Sequence, residues 1–592
     1  MRTFKKLNLL FLLIFCYSTL CWAQKSQSWL TFFEKTGGMR TSEYKESVKY
    51  WKRLADSSSM ISYSSFGKSE KGKDLPLLIL DRDGYSTPEE IKQSGKVVVL
   101  VQAAIHAGET CGKDAGVLLF RDFFKGNLKS SMLKNVSVIY IPIFNVDGFE
   151  RFGEYNRINQ NGPKEMGWRA NAQNLNLNRD YLKAESSELK SWHKLFNTFQ
   201  PDFFIDCHST DGADYQYVAT YAMEVFGDLD AGLVSWQKNN FIPYLERKMG
   251  ENEFPIFPYV SFRNWHDPRS GLYSEVGSSM LSQAYTANVN RPGLLVETHM
   301  LKPYRQRVDA TYQIILEAIR YLNSNNRKYK KLIKSADVNS ANLMALPLTY
   351  RLSKNDSVMV KFKGVDYDVS KSDLTGGDWF VYHTKRKRTY KLPYFNKNIP
   401  DKVVKLPKAY IVPAQWKKVI DLLSVHGIRM NTLNSDTTIS VELYRIKDPK
   451  WGSAPFEGHI PLKSFDIEKD VAQRTYSKGS VVIPTNQAKI RIIANLLEPE
   501  GDGSLLFWGY FNSIFEQKEY GESYVIEPLA RKMLKENPKL KEEFELKKKN
   551  DKDFANNTWS QINWFYAHSK YWDKEKDLYP IGRLPRTKIS NP

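Results

Sequence analysis

His106 and Glu109 stand three residues apart at the end of an apolar run, in Ala104-Ile105-His106-Ala107-Gly108-Glu109-Thr110. An imidazole and a carboxylate at this spacing can face one point. Zinc accepts nitrogen and carboxylate oxygen at about 2.0–2.2 Å, and a catalytic site uses three protein ligands with a fourth position left open. A single HxxE occurs often by chance, so a third ligand must be found elsewhere. His208 supplies it, ending a second apolar run, Phe203-Phe204-Ile205-Asp206-Cys207-His208-Ser209, with Asp206 and Ser209 beside it as groups able to orient the ring. The chain has only nine histidines, and two of them follow apolar runs. Together His106, Glu109 and His208 make a ligand set for one Zn2+ per chain.

The elements that position these residues are legible. Val97-Val98-Val99-Leu100-Val101, within Lys96–Ile105, is apolar without alternation, as a strand buried on both faces must be. Val136–Ile143, Phe203–Asp206 and Leu294–Val296 read likewise, while Gly112–Phe124 and Arg307–Leu322 have helical spacing. Strands alternating with helices specify an α/β sheet covered by helices, and each strand runs into polar residues at its carboxyl end, where loops converge on one crevice. Beyond about Ser335 the texture changes. Val358–Lys363, Asp378–His383, Thr437–Tyr444 and Val481–Ile483 are spaced as strands between Gly, Asn, Asp and Pro turns. Pro413–Val425 is helical up to Gly427, and Tyr520–Phe554 is helical and charged, with Lys541–Lys552 as a solvated face. The expected organisation is a leader over 1–23, a catalytic domain over 24–334, and a β-rich α+β accessory region over 335–592 with a helical C-terminal part.

Arg2, Lys5 and Lys6 precede the apolar run Leu7–Phe15, and Ala23 offers a small residue for cleavage, the pattern of a signal peptide. The run falls short of the roughly 20 apolar residues of a spanning helix, and no later stretch reaches that length. The mature protein is therefore expected in the periplasm or outside the cell, with no transmembrane segment after signal removal. Of four cysteines, Cys16 and Cys21 leave with the leader, and Cys111 and Cys207 remain, either as buried thiols or as a bridge. The net charge of +20 favours anionic partners; outside the cytoplasm these are acidic peptides, wall polymers or lipid head groups, not nucleic acid.

The order of motifs then resembles the zinc metallocarboxypeptidase family, the pancreatic carboxypeptidase type. His106–Glu109, Asn145-Val146-Asp147-Gly148, Trp168-Arg169, Asn178-Arg179, His208-Ser209 and Leu295-Val296-Glu297 follow one another as in that family, and Gly67–Lys73 before Leu75–Leu80 is similar to its early hairpin. The likeness spans roughly Tyr44 to Leu322. It implies a mixed central sheet flanked by helices, with Glu297 as general base toward metal-bound water and Arg169 steadying the oxyanion. It also implies that Asn178 and Arg179 grip the free α-carboxylate of a peptide substrate. Val146 replaces the family's proline. The tyrosine that closes over substrate could be Tyr285 or Tyr273, with Tyr285 slightly favoured, and the segment that sets side-chain preference lies near Tyr259–Asn290.

The resulting expectation is a secreted hydrolase, a zinc-dependent exopeptidase removing C-terminal residues from extracytoplasmic peptides, active as a fragment spanning Lys25–Ile333. Two readings stand beside it: a peptidase for wall-derived peptides with D-centres or γ-linked glutamate, drawn to a cationic surface, and a surface binding protein whose peptidase domain is non-catalytic.

Overall fold

The structure, a computed structural model, describes residues 28–586; the leader and its cysteines lie outside them. Eight strands form the central sheet: β1 (Ile61–Lys68), β2 (Asp74–Leu80), β3 (Val97–Ala103), β4 (Val136–Ile141), β5 (Phe203–Thr210), β6 (Ala219–Ala222), β7 (Ile256–Pro258) and β10 (Gly293–His299), in the order β1-β2-β4-β3-β5-β10-β6-β7. The interior strands β4, β3, β5 and β10 are parallel, whereas β1 and β2 form an antiparallel hairpin at one edge and β6 runs antiparallel to β10. The sheet is mixed, with helices on its faces.

Period-two alternation decides what each side chain of β3 meets. Val97, Val99 and Val101 point to a core shared with the helices Cys111–Phe124 and Tyr304–Ala341. Val98 and Leu100 point the other way, toward the helix Ser187–Phe199 and toward residues of the second half of the chain. Gly112 lets the first helix lie close on the sheet, because a Cβ there would fall 2.3 Å from the Cys207 Cβ. Cys111 and Cys207 are both buried free thiols, so the unbridged reading holds.

The accessory region is β-rich. Antiparallel strands Val358–Lys371 and Asp378–Phe395 make a long hairpin whose outgoing strand pairs with β9 (Asp267–Tyr273), itself paired with β8 (Ser261–Asn264). A six-stranded sheet contains a second long hairpin, Thr437–Trp451 with Leu462–Tyr476, and the helices Ser523–Glu536, Pro538–Asn550 and Thr558–Ala567 enclose a small core of their own. Residue 334, the expected boundary, lies inside the helix Tyr304–Ala341. The second half covers one face of the central sheet: Tyr410, Leu423, Ile490 and Ile493 share a single apolar cluster with Leu100, Ile139 and Phe204.

Candidate metal centre and substrate cavity

His106 and Glu109 sit in the turn leaving β3, and Ala104 just before them holds φ at 55°, a left-handed backbone that alanine seldom adopts. That turn swings His106 toward the end of β5, where His208 lies. The two Nδ1 atoms are 3.2 Å apart, with Glu109 Oε1 at 3.1 Å from His106 Nδ1 and Oε2 at 3.1 Å from His208 Nδ1.

The outward nitrogens decide the tautomers. His208 Nε2 donates to the Asp206 carboxylate at 2.8 Å, and His106 Nε2 donates to Asn176 Oδ1 at 3.0 Å, an oxygen that also accepts the Asn178 backbone N–H. Each Nδ1 therefore turns a lone pair inward. Two bare nitrogens and a carboxylate, all buried, with ligand atoms within 4.8 Å of one another, repel unless a cation lies between them. His2Glu is a zinc donor set with room for one further ligand, and the outer hydrogen bonds are those that orient such ligands.

Glu297 lies on β10 directly opposite His208 on β5, so both side chains leave the sheet on one face. Its Oε2 is buried with no hydrogen-bond partner, an acceptor turned toward the cavity without a protein donor. Burial pushes its carboxyl up to about 8, helped by the neighbouring Glu109 and Asp206 carboxylates. A dication nearby would draw it down again.

A cavity of about 970 Å³ opens over these groups, and Arg169, Asn178 and Arg179 line it with them. The Arg169 side chain is partly exposed, with Nη1 3.5 Å from Glu109 Oε1. Asn178 Oδ1 accepts the Ser282 backbone N–H at 3.0 Å, which leaves its amide nitrogen for a ligand. Arg179 donates to the Asn178 carbonyl at 2.7 Å, and burial together with the nearby Arg169 charge lowers its pKa.

Of the two tyrosines expected to close over substrate, only Tyr273 reaches the cavity. Tyr285 is 1% exposed, packed against Trp192 and bonded through its hydroxyl to His426 Nδ1 at 2.8 Å. It is a core residue and cannot close over a substrate; its buried helix, Ser282–Asn288, places it between the sheet and the second half of the chain. Tyr273 does line the cavity, and so does Tyr259, whose hydroxyl is pushed up to about 12 by burial and then by the Glu297 charge. Sequence reasoning also passed over Arg157 and Asn176. Arg157 Nη2 donates to Glu109 Oε1 at 2.8 Å, its stem lying where a Cβ on Gly108 would be. The glycine inside His106-Ala107-Gly108-Glu109 was the available signal.

Residues 47–221 match the zinc carboxypeptidase family. Over those residues the chain carries a zinc carboxypeptidase domain. Carboxypeptidase 2 of Trichophyton rubrum is 21% identical over 504 residues, covering 81% of this chain and 85% of the relative, and the protein of that name from Trichophyton equinum is similar to the same extent. Among solved structures, carboxypeptidase A of Helicoverpa armigera superposes on 48% of this chain and 74% of its own length at 14% identity, with a TM-score of 0.36. A metallo-carboxypeptidase from Burkholderia cenocepacia does so over 48% and 70%, also at 14% identity, with a TM-score of 0.35. Among the described residues no helix is long and apolar enough to cross a membrane.

Proposed function

We propose that this protein is an exported zinc exopeptidase that removes C-terminal residues from extracytoplasmic peptides, with His106, Glu109 and His208 as metal ligands. The observation that carries the reading is the convergence of two inward Nδ1 lone pairs and a carboxylate beside an unpartnered buried Glu297, in a cavity that also holds Arg169 and Arg179. A zinc ion held by these three groups would supply the Lewis acidity that polarises a scissile carbonyl and acidifies water. Glu297 takes the proton of the attacking water and returns it to the leaving amine. Arg169 faces the same space and balances charge gathering on the carbonyl oxygen. Arg179 and the Asn178 amide bind the terminal carboxylate, which restricts cleavage to the last peptide bond. The apolar leader ahead of residue 24 supports export.

Incubating the protein with a mixed peptide library, with and without chelator, and reading the products by mass spectrometry tests this. Loss of single C-terminal residues, abolished by chelation and restored by zinc, is expected; internal cuts, or no dependence on metal, would refute it.

The cavity also favours a side chain. Glu224 is buried at its inner wall, accepting the Gly277 N–H at 3.0 Å, with Gln283 Nε2 at 3.5 Å. Gly277 permits that approach, since a Cβ there would meet Glu224 Oε1 at 2.2 Å. No lysine or arginine pairs with it among the described residues; Lys238, on the same cavity, lies over the Phe226 ring. A buried carboxylate lacking a cation suits a substrate that brings one, a C-terminal lysine or arginine. Burial raises this carboxyl to about 7, so it is neutral below that pH and charged above it. Preference for lysine over leucine, measured as the ratio of kcat/KM, should therefore rise about tenfold or more from pH 6 to pH 8. In Glu224→Gln the ratio should stay flat; a ratio independent of pH in the wild type would remove Glu224 from recognition.

A further inference from the structure

The long hairpin Thr437–Trp451/Leu462–Tyr476 reaches back from the second half of the chain to the loop that carries Asn176, Asn178 and Arg179. Its tip is Phe456-Glu457-Gly458-His459, closed by hydrogen bonds in both directions between Phe456 and His459. Both central residues have positive φ, 46° at Glu457 and 83° at Gly458, the pattern of a primed two-residue turn. Asn, Asp or Gly fits the first of these positions with little strain, and glutamate does not. A glutamate kept there has a task that its side chain performs.

The side chain ends on the loop. Glu457 Oε2 accepts the backbone N–H of Asn176 at 2.8 Å, and Asn176 Oδ1 in turn accepts from His106 Nε2 and from the Asn178 N–H. The Glu457 charge also acts on Arg179, opposing the repulsion from Arg169. The far end of the same loop is tied to the same region: His459 Nε2 donates to Glu185 Oε2 at 2.8 Å, and the Tyr510 hydroxyl donates to Glu185 Oε1 at 2.9 Å. Phe456 stacks on Trp508, which fixes the tip between these two ties.

From this geometry we propose that Glu457 is a positioning residue for the hydrolytic site. It clamps the start of the 176–185 loop so that Asn176 holds the His106 ring and Arg179 faces the terminal carboxylate. The inference rests on Arg179 being the carboxylate grip. It makes the second half of the chain a working part of the site, in which one carboxylate sets a metal ligand and an anion clamp together.

Glu457→Asn in the full chain separates this role from a structural one. Asparagine relaxes the turn but is too short to hold Asn176, so the melting temperature should stay level or rise. Meanwhile kcat/KM should fall about tenfold or more, chiefly through KM. As a readout apart from turnover, calorimetric titration of the chelator-treated protein with acetyl-Ala-Lys should show binding weakened by a similar factor. Kinetics and binding within about twofold of wild type would overturn the proposal, as would a loss of activity that follows a fall in melting temperature. If the wild type binds the peptide but hydrolyses nothing, the hydrolytic reading fails, while weaker binding by the variant still supports the clamp.

Discussion

Glu297→Gln should keep one zinc per chain and lose turnover by three to four orders of magnitude, a rise in barrier of about 4–5.5 kcal/mol. Glutamine has nearly the same shape, so the cavity and its neighbours remain in place. What disappears is the proposed acceptor of the water proton, a buried oxygen with no hydrogen-bond partner in the native protein. Glu297 is outside the group of three converging ligand atoms, so metal content should not follow activity. Elemental analysis of the purified variant alongside single-turnover kinetics makes the check, and near-normal rates would take Glu297 out of the mechanism.

The fragment ending at Ala341 should not fold to an active enzyme, contrary to the expectation from sequence that the first half suffices. One face of the central sheet is covered by the second half: Leu100, Ile139 and Phe204 lie in the same cluster as Tyr410, Leu423, Ile490 and Ile493. Uncovering a buried aliphatic side chain costs about 1.5–3 kcal/mol, and total stability is about 5–15 kcal/mol. A handful of exposed positions is enough to exhaust it. Tyr285 would also lose the hydrogen bond between its hydroxyl and His426. Circular dichroism and dye binding on residues 28–341 should show a loosely packed or aggregating chain with no hydrolysis. A cooperative melt with retained activity would refute a shared core.

These two expectations mark what sequence could reveal. β3 was legible because five consecutive apolar residues have few other uses. His106 and Glu109 were legible because they follow such a strand, and His208 and Glu297 because they lie in the C-terminal parts of two more, so position in the sheet constrains where they point. Arg157, Asn176 and Tyr259 come from irregular loops, where no period ties a residue to a face, and only the closed structure brings Arg157 and Tyr259 to the cavity and Asn176 to the His106 ring. Tyr285 went astray for a different reason: an aromatic among small and polar residues in a short helix reads the same whether it faces a cavity or a core. The division near 334 had the same weakness, since a pattern of buried positions tells that a residue is covered but not by what. Glu457 carried no local signal except its unusual place before a turn glycine.

The strand Gly582–Leu584 lies between Ala409–Val412 and Thr437–Trp451 in the six-stranded sheet. The six-stranded sheet is therefore complete only once residues 582–584 are present. Its two parts, Ala409–Val412 with Val481–Pro484 and the hairpin Thr437–Trp451/Leu462–Tyr476, are joined through that one late strand. The pairing that seals this layer is thus long-range in sequence, the kind of contact that forms late because a large loop must first be closed.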